Sequence, residues 1–266
     1  MLMICSIRRQ MLQNVSNFYS VDRNSAFFKA FFILSTRFHI NFIVTIIIKI
    51  LDIKGEVTNL DEETPPTIII ITKTAKADYP IHELIAKRWS ARAFSTRPVE
   101  KSKLLSILEA ARWAPSSRNE QPWRYIIFTN DNPEKLKNAQ SVLKDINNYA
   151  KRAPILICAI TKKTYSDNGN YNRLHFHDLG AANENMFLES FNQGLIMHEM
   201  GGFHVQRARE VFNIPEDFEV GIMIALGYQD THDILPESLR QKACIPRERK
   251  LLSEIAFLEE LGNGIS

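Results

Sequence analysis

Arg88-Trp89-Ser90-Ala91-Arg92 opens the stretch that decides the fold of this chain, and Ala114-Pro115-Ser116-Ser117-Arg118-Asn119-Glu120-Gln121-Pro122-Trp123 closes it. Arg88 and Arg92 are four residues apart, so on a helical turn they share a face, with the Ser90 hydroxyl beside them. A guanidinium suits phosphate because its planar fork donates two parallel hydrogen bonds. The second stretch carries hydroxyls and amides, which match the edge of a flat heterocycle. A phosphate-bearing ring system would use both stretches.

The composition indicates one enzyme-sized domain with an extension. The chain has 266 residues, of which 45% are hydrophobic and 24% are charged, enough for a substantial core. A net charge of +3 with interspersed signs argues against nucleic acid as a partner. Cys5, Cys158 and Cys244 form no CxxC pair, which favours a reducing, cytoplasmic location.

Residues 1–75 differ from the rest, and we interpret them as a basic, apolar leader that ends with a polar linker at 61–66. Basic residues interrupt the apolar tract 27–50, so it does not match a spanning helix. Neither a secretory signal nor an organelle presequence fits cleanly. Retention, disorder, targeting and a misassigned start all stay open, as does a loose membrane association of this leader. We expect the working domain to occupy residues 76–266.

From Tyr79 onward the chain shows regular periodicity. Apolar spacing predicts one helix over 81–89 and a second one over 104–111, the latter ended by Pro115. Short strands are predicted at 124–129, 154–160, 195–198 and 220–226, and the 154–160 strand lacks alternation, so both of its faces should be covered. Further helices are predicted from Glu134 towards Ala150, from an Asn172 cap to Gln193 with Gly194 as terminator, and over 203–212.

Several single features have ordinary structural explanations. His175 and His177 are two residues apart and point away from each other on a helix, so we predict no metal site. Cys158 lies in an apolar strand and is expected to pack rather than react. No GxGxxG or GxxxxGK loop occurs in the chain, so nicotinamide would bind as a substrate and not at a dedicated dinucleotide site.

Five motifs in order resemble the nitroreductase family, and the resemblance covers about residues 79–257. They are Arg88-x-Ser90-x-Arg92, the 114–123 loop, Asp178-x-Gly180-x-Ala182, Met200-Gly201-Gly202-Phe203 and Arg247-x-Arg249. The resemblance implies an α+β, three-layer fold with a central, mostly antiparallel sheet flanked by helices. It also implies a homodimer with FMN at the subunit interface and NADH or NADPH as electron donor.

The same resemblance assigns cofactor-binding roles to residues of this chain. Arg88 and Ser90, with the Trp89 backbone, would contact the ribityl-phosphate side, and Arg247 and Arg249 would close on the phosphate. Arg92 would face the pyrimidine edge as a charge stabiliser. Backbone N–H groups near Gly201 and Gly202 would meet flavin N5. A last group would reach the flavin held mainly by the partner chain: Pro115, Ser116, Ser117 and Asn119.

The implied activity is hydride transfer from NAD(P)H, through FMN, to an electron-poor small-molecule acceptor such as a nitroaromatic or a quinone. Donor and acceptor would use one flavin face in turn, which gives ping-pong kinetics, and no protein nucleophile is required. Other interpretations are a flavoenzyme of the same fold that performs reductive dehalogenation or flavin fragmentation, and a non-enzymatic binding module. The resemblance leaves the acceptor and the choice between NADH and NADPH open.

Overall fold

The structure is a computed structural model that describes residues 73–265. The predicted linker at 61–66 and nearly all of the predicted leader lie outside the described residues. The strands are β1 Trp123–Thr129, β2 Ile155–Lys162, β3 Ile196–Met200 and β4 Phe218–Gly227. The α-helices are α1 Glu83–Lys87, α2 Lys101–Arg112, α3 Pro133–Gln140, α4 His175–Asn192, α5 Val205–Val211 and α6 Glu237–Cys244. Short 3₁₀ segments cover Ser117–Asn119, Asp145–Arg152, His232–Ile234 and Leu252–Glu254.

The four strands β1, β2, β4 and β3, in that order, form one sheet in which every neighbouring pair is antiparallel. All four predicted strands are confirmed to within a few residues. β2 and β4 are central, and a shift in register falls between Ala159 and Ile160. This arrangement agrees with the central antiparallel sheet that the family resemblance implies.

Two apolar clusters cover the two faces of the sheet. On β2, Leu156, Cys158 and Ile160 enter one cluster, whereas Ile157 and Ala159 enter the other. Because side chains alternate along a strand, the helices on both sides bury every residue of this strand except Lys162 at its end. The first cluster includes residues of α3 and α5, and the second includes residues of α2 and α4. The result is a helix–sheet–helix arrangement of three layers.

The first predicted helix is wrong in extent. The α1 helix covers only Glu83–Lys87 and buries no residue. Ile81 and Ile85 are exposed, whereas Trp89 is buried beyond the helix end. The apolar spacing at 81–89 therefore does not mark one helical face, because its members face different surroundings.

The predicted helix from Glu134 towards Ala150 is also wrong as a continuous element. The α3 helix ends at Gln140, and a 3₁₀ segment follows at Asp145–Arg152. Between them the backbone pairs with a distant turn, since Leu143 forms a β-bridge to Phe203 and Lys144 N donates to Gly202 O at 3.1 Å. These tertiary hydrogen bonds replace the helical ones that local sequence favours.

The central helix α4 begins later than its predicted cap. Asn172 Oδ1 accepts a hydrogen bond from Leu174 N at 3.0 Å, which forms a turn ahead of the helix start at His175. The predicted terminator is confirmed, because Gly194 has φ +74° and such a conformation favours glycine. The α2 and α5 helices agree with prediction, although α5 begins two residues after Phe203.

Candidate functional site

No helix covers the segment 88–94, and this corrects the helical interpretation of its arginines. The α1 helix ends at Lys87, Arg88 has the extended angles φ −59° and ψ 131°, and Phe94 forms a β-bridge. Trp89, Ala91 and Ala93 are buried, whereas Arg88, Ser90 and Arg92 alternate with them and are partly exposed. An extended chain places every second residue on the same side. The three polar side chains therefore share a face, although no helix carries them.

This face lines a cavity of about 210 Å³. Two further arginines reach it from the C-terminal part of the chain, and a lysine reaches it from the start of the described residues. The lining residues are Lys73, Arg88, Trp89, Ser90, Arg92, Arg247 and Arg249. Motifs that are far apart in sequence thus meet at one place, and most of their side chains are cationic.

The positive charges in this cavity act on one another. Burial lowers the pKa of Lys73, and the neighbouring charges of Arg92 and Arg247 lower it further. The pKa of Arg247 is lowered by burial and by the charges of Arg88 and Arg249. Like charges at close range destabilise one another, so an anion in the cavity would relieve this repulsion.

Arg88 has an acidic neighbour that satisfies only part of its guanidinium. Its Nε lies 3.5 Å from Glu184 Oε1, yet this buried atom makes no hydrogen bond. The guanidinium carbon lies 4.7 Å from the ring centroid of Phe187, over the ring face. The side chain is therefore held between α4 and the cavity, and a buried donor remains available for a ligand.

The Gly201–Gly202 turn follows β3, and its two glycines differ in surroundings. A Cβ on Gly201 would meet no atom within 4 Å, whereas a Cβ on Gly202 would lie 2.8 Å from Asn147 Nδ2. That nitrogen donates to Gly202 O at 2.9 Å. Asn147 thus fixes the turn, while Asn148 only contacts Asp145 at the surface. The open side at Gly201 leaves room for a ligand close to the backbone.

Two aromatic side chains connect this turn with the arginine segment. His198 Nδ1 lies 2.9 Å from Ala91 O, and the His198 ring meets Tyr149 edge-on with centroids 5.2 Å apart. Tyr149 donates from its hydroxyl to Asn147 Oδ1 at 3.1 Å. Burial lowers the pKa of His198 to about 4, so the imidazole is neutral at pH 7. These contacts hold the Gly201–Gly202 turn and the arginine segment in fixed positions relative to each other.

The loop with Ser116, Ser117 and Asn119 is not among the residues that line the cavity. It forms a 3₁₀ turn in which Arg118 and Asn119 have positive φ. Ser116 Oγ accepts from Gln121 N at 3.0 Å, and Ser117 Oγ lies 2.9 Å from Tyr165 Oη. Pro115 precedes this turn. Within one chain, the structure therefore brings the arginine motifs together but not this loop.

Asp178 fixes the loop, a role that its motif alone did not indicate. This carboxylate on the first turn of α4 is 2% exposed, and its Oδ2 accepts a hydrogen bond from Ser117 N at 3.1 Å. A buried carboxylate needs such partners, because an unpaired one is strongly destabilising. The signal in the sequence was an acid beside the apolar residues Leu179 and Ala182 of the helix.

Metal ligands, membrane-spanning helices and a reactive cysteine were also considered among the described residues. Between residues 73 and 265, no group of three or more His, Cys, Asp or Glu side chains could hold a metal ion. In the same range, no helix is long and apolar enough to cross a membrane. Cys158 is buried, and burial raises the pKa of its thiol to about 12, as expected for a packing residue.

A family model described as the nitroreductase family matches residues 85–228, which is more than half of the chain. The chain belongs to the nitroreductase family. The matched range contains the extended arginine segment, the 114–123 loop and the Gly201–Gly202 turn. It excludes Lys73, Arg247 and Arg249, although these side chains line the same cavity. The protein is therefore an enzyme of the oxidoreductase class.

Three known proteins resemble this chain over most of their own length. A protein of Archaeoglobus fulgidus, with the provisional name NADH dehydrogenase/NAD(P)H nitroreductase, is 29% identical over 154 residues, which cover 55% of this chain and 83% of that protein. A crystal structure described as the oxidoreductase containing FMN is 31% identical, with a TM-score of 0.68 and coverage of 73% of this chain and 98% of the other. A nitroreductase family protein from Clostridium difficile 630 is 29% identical, with a TM-score of 0.52 and coverage of 67% and 98%.

Proposed function

We propose that the protein is an FMN-dependent oxidoreductase that passes a hydride from NAD(P)H to an electron-poor acceptor such as a nitroaromatic or a quinone. One observation carries this proposal: basic side chains from three separate parts of the chain converge on a single cavity. A related structure is described as containing FMN, and a relative's name includes NAD(P)H. The cavity supports a phosphate-bearing cofactor, and the descriptions of these relatives support FMN as that cofactor and NAD(P)H as the donor.

Arg88, Ser90, Arg247 and Arg249 would hold the FMN phosphate. Two properties of the cavity fit a dianionic group: burial and the charges of Arg88 and Arg249 lower the pKa of Arg247, and Arg88 Nε is buried without a hydrogen bond. Guanidinium groups and a hydroxyl can all donate to phosphate oxygens. Trp89 is buried between Arg88 and Ser90, and its backbone would lie beside the ribityl chain.

Arg92 and the Gly201–Gly202 turn would contact the ring system of the flavin. Arg92 lies on the same face as Arg88 and Ser90, one extended pair of residues further along. Its permanent positive charge would stabilise negative charge that develops on the pyrimidine edge. The open side of Gly201 would let backbone N–H groups approach the ring edge near N5. Bound FMN would supply the hydride chemistry, accepting the hydride from NAD(P)H and delivering it to the acceptor.

The proposal includes a homodimer in which Pro115, Ser116, Ser117 and Asn119 reach the flavin of the partner subunit. In one chain this loop is not among the residues that line the arginine cavity. Immediately before the loop, Trp113 is 73% exposed at the end of α2. A large exposed aromatic side chain is typical of an interaction surface. Dimerisation would bury Trp113 and complete the site with the loop.

The dimer is tested by the substitution Trp113→Glu. Because Trp113 is exposed in the single chain, its replacement should leave the subunit folded. We expect sedimentation to show a monomer and FMN affinity to fall about tenfold or more. A Trp113→Glu protein that remains a dimer and binds FMN normally would contradict the proposed interface.

We also place the enzyme in the cytoplasm, where thiols stay reduced, because the two cysteines among the described residues, Cys158 and Cys244, are free. The catalytic proposal is tested by steady-state kinetics of the FMN-loaded protein with NADH or NADPH and a series of quinones and nitroaromatics. Double-reciprocal plots should give parallel lines, since donor and acceptor occupy one face in turn. Intersecting lines would contradict the ping-pong scheme, and FMN-independent turnover would contradict the cofactor assignment.

A further inference from the structure

Lys73 lies ahead of residue 85, where the match to the family begins, yet it lines the arginine cavity. Its Nζ donates to Lys242 O at 3.1 Å and lies 5.0 Å from the ring centroid of Trp89. A lysine ammonium carries three N–H donors, and Lys242 O takes one of them. The side chain is therefore held beside the cavity with further donors to offer.

Hydrogen bonds fix the backbone around Lys73 to the rest of the site. Ala75 N donates to Ala86 O at 2.8 Å. Arg247 Nη1 donates both to Ala86 O at 2.8 Å and to Lys73 O at 3.0 Å. Arg247 thus joins the 73–75 segment to the end of α1, immediately before Arg88. Because of these bonds, the position of Lys73 depends on the same side chain that lines the cavity beside it.

The cations around Lys73 would favour an anion in the cavity. The groups that lower its pKa besides burial are two other cavity residues, Arg92 and Arg247. Burying a cation against like charges is destabilising. A phosphate dianion near the centre of the cavity would turn this repulsion into attraction, because the cations would then share one counter-charge.

We infer that Lys73 is a phosphate ligand of the flavin site and makes the protein select FMN over riboflavin, which lacks the phosphate. This inference rests on the proposed function. It extends the binding unit beyond the expected 76–266 boundary, which remains our proposal for the family-like domain. It also gives the chain a cofactor contact outside the matched region, at Lys73.

The test uses the full-length apoprotein, titrated with FMN and with riboflavin while flavin fluorescence is followed. Lys73→Met removes the charge and keeps most of the chain length. Lys76→Met is the matched control, because Lys76 lies in the same segment and is exposed. Lys73→Arg retains a cation. We expect Lys73→Met to raise the Kd for FMN about tenfold, to leave the Kd for riboflavin within about twofold, and Lys73→Arg to restore most of the selectivity.

The outcomes separate the two proposals. A selective loss of FMN affinity in Lys73→Met, with Lys76→Met like wild type, supports the phosphate role. Equal losses for FMN and riboflavin, or no loss at all, would overturn the role of Lys73 while leaving the flavin site intact. A wild-type protein that binds neither flavin would overturn both proposals, because the cavity would then not be a flavin site.

Discussion

Asp178 Oδ2 accepts a hydrogen bond from Ser117 N at 3.1 Å, across 61 residues of sequence. This contact attaches the Pro115–Asn119 loop to the central helix α4. The carboxylate is almost fully buried and its Oδ1 lies 3.2 Å from His177 Nδ1, so movement of the loop would cost the carboxylate its hydrogen bond at Oδ2. A loop proposed to contact a flavin across a subunit interface is therefore held in place before any ligand binds.

Asp178→Ala should destabilise the fold. The substitution leaves Ser117 N–H without its acceptor, and an unmade buried hydrogen bond costs about 1–3 kcal/mol. Chemical denaturation measures the free energy of unfolding. Asp167→Ala is the control, because Asp167 pairs with Arg118 at 3.8 Å between side chains that are both more than 60% exposed, and such pairs contribute little. Equal stability of the two variants would contradict the role of Asp178.

Gly201→Ala and Gly202→Ala form a matched pair with opposite expected effects. A Cβ at 202 would lie 2.8 Å from Asn147 Nδ2, so Gly202→Ala should lower the free energy of unfolding by about 1–3 kcal/mol. A Cβ at 201 meets nothing within 4 Å, so Gly201→Ala should keep stability but weaken FMN binding. Denaturation and flavin titration of both variants check this. Full flavin affinity in Gly201→Ala would mean that the ligand does not approach this turn.

Arg88→Ala and Ser90→Ala should weaken flavin retention while the fold persists. Arg88→Ala removes charge-assisted hydrogen-bond donors, and each such bond contributes about 1.5–3 kcal/mol to binding. The FMN affinity should therefore fall at least about tenfold. Ser90→Ala should have a smaller effect, since it removes a neutral hydroxyl. Flavin content after purification gives the readout, with the exposed Lys101→Ala as control. Unchanged flavin content in both variants would refute these assignments.

His198 should make stability depend on pH below neutrality. Burial holds its pKa at about 4 in the folded protein, against 6.5 for a free histidine. As pH falls from about 6.5 to about 4, the unfolded state takes up the proton first, so stability decreases by at most about 1.4 kcal/mol per pH unit. Above pH 6.5 this contribution is fully present.

The contribution of His198 is isolated by comparison with His198→Asn, whose amide can still donate to Ala91 O but does not titrate. Other groups titrate in the same range, since the pKa values of His175 and His232 are also lowered and that of Glu199 is raised. These remain in both proteins. The difference in unfolding free energy should be constant above about pH 6.5 and should fall towards pH 4. A constant difference throughout would show that His198 is not buried in neutral form.

For the arginine segment, a wrong prediction of secondary structure still placed the correct side chains on one face. Arg88 and Arg92 were predicted to share a helix face, but the helix ends at Lys87 and none covers these residues. A separation of four residues places side chains on one side in both conformations, since four is close to one helical turn and is twice the strand period. The alternation of buried Trp89, Ala91 and Ala93 with polar residues was the signal for an extended segment.

The remaining parts of the site depended on tertiary contacts that no local pattern contains. Lys73 was placed in the leader, because only the fold brings it to Arg247. The hydrogen bond from Asn147 to Gly202 joins residues that are 55 positions apart. By contrast, the strands and the Gly194 terminator followed from local apolar runs and backbone freedom. Those elements could be predicted because their causes lie within a few residues.

The most direct test of the account is the absorbance spectrum of the purified full-length protein, recorded before and after addition of NADPH or NADH under nitrogen and again after a quinone is added. We predict a flavin spectrum that bleaches with the nicotinamide and recovers with the quinone. A protein that binds no flavin even after FMN is supplied would contradict the account, and so would a bound flavin that neither nicotinamide reduces.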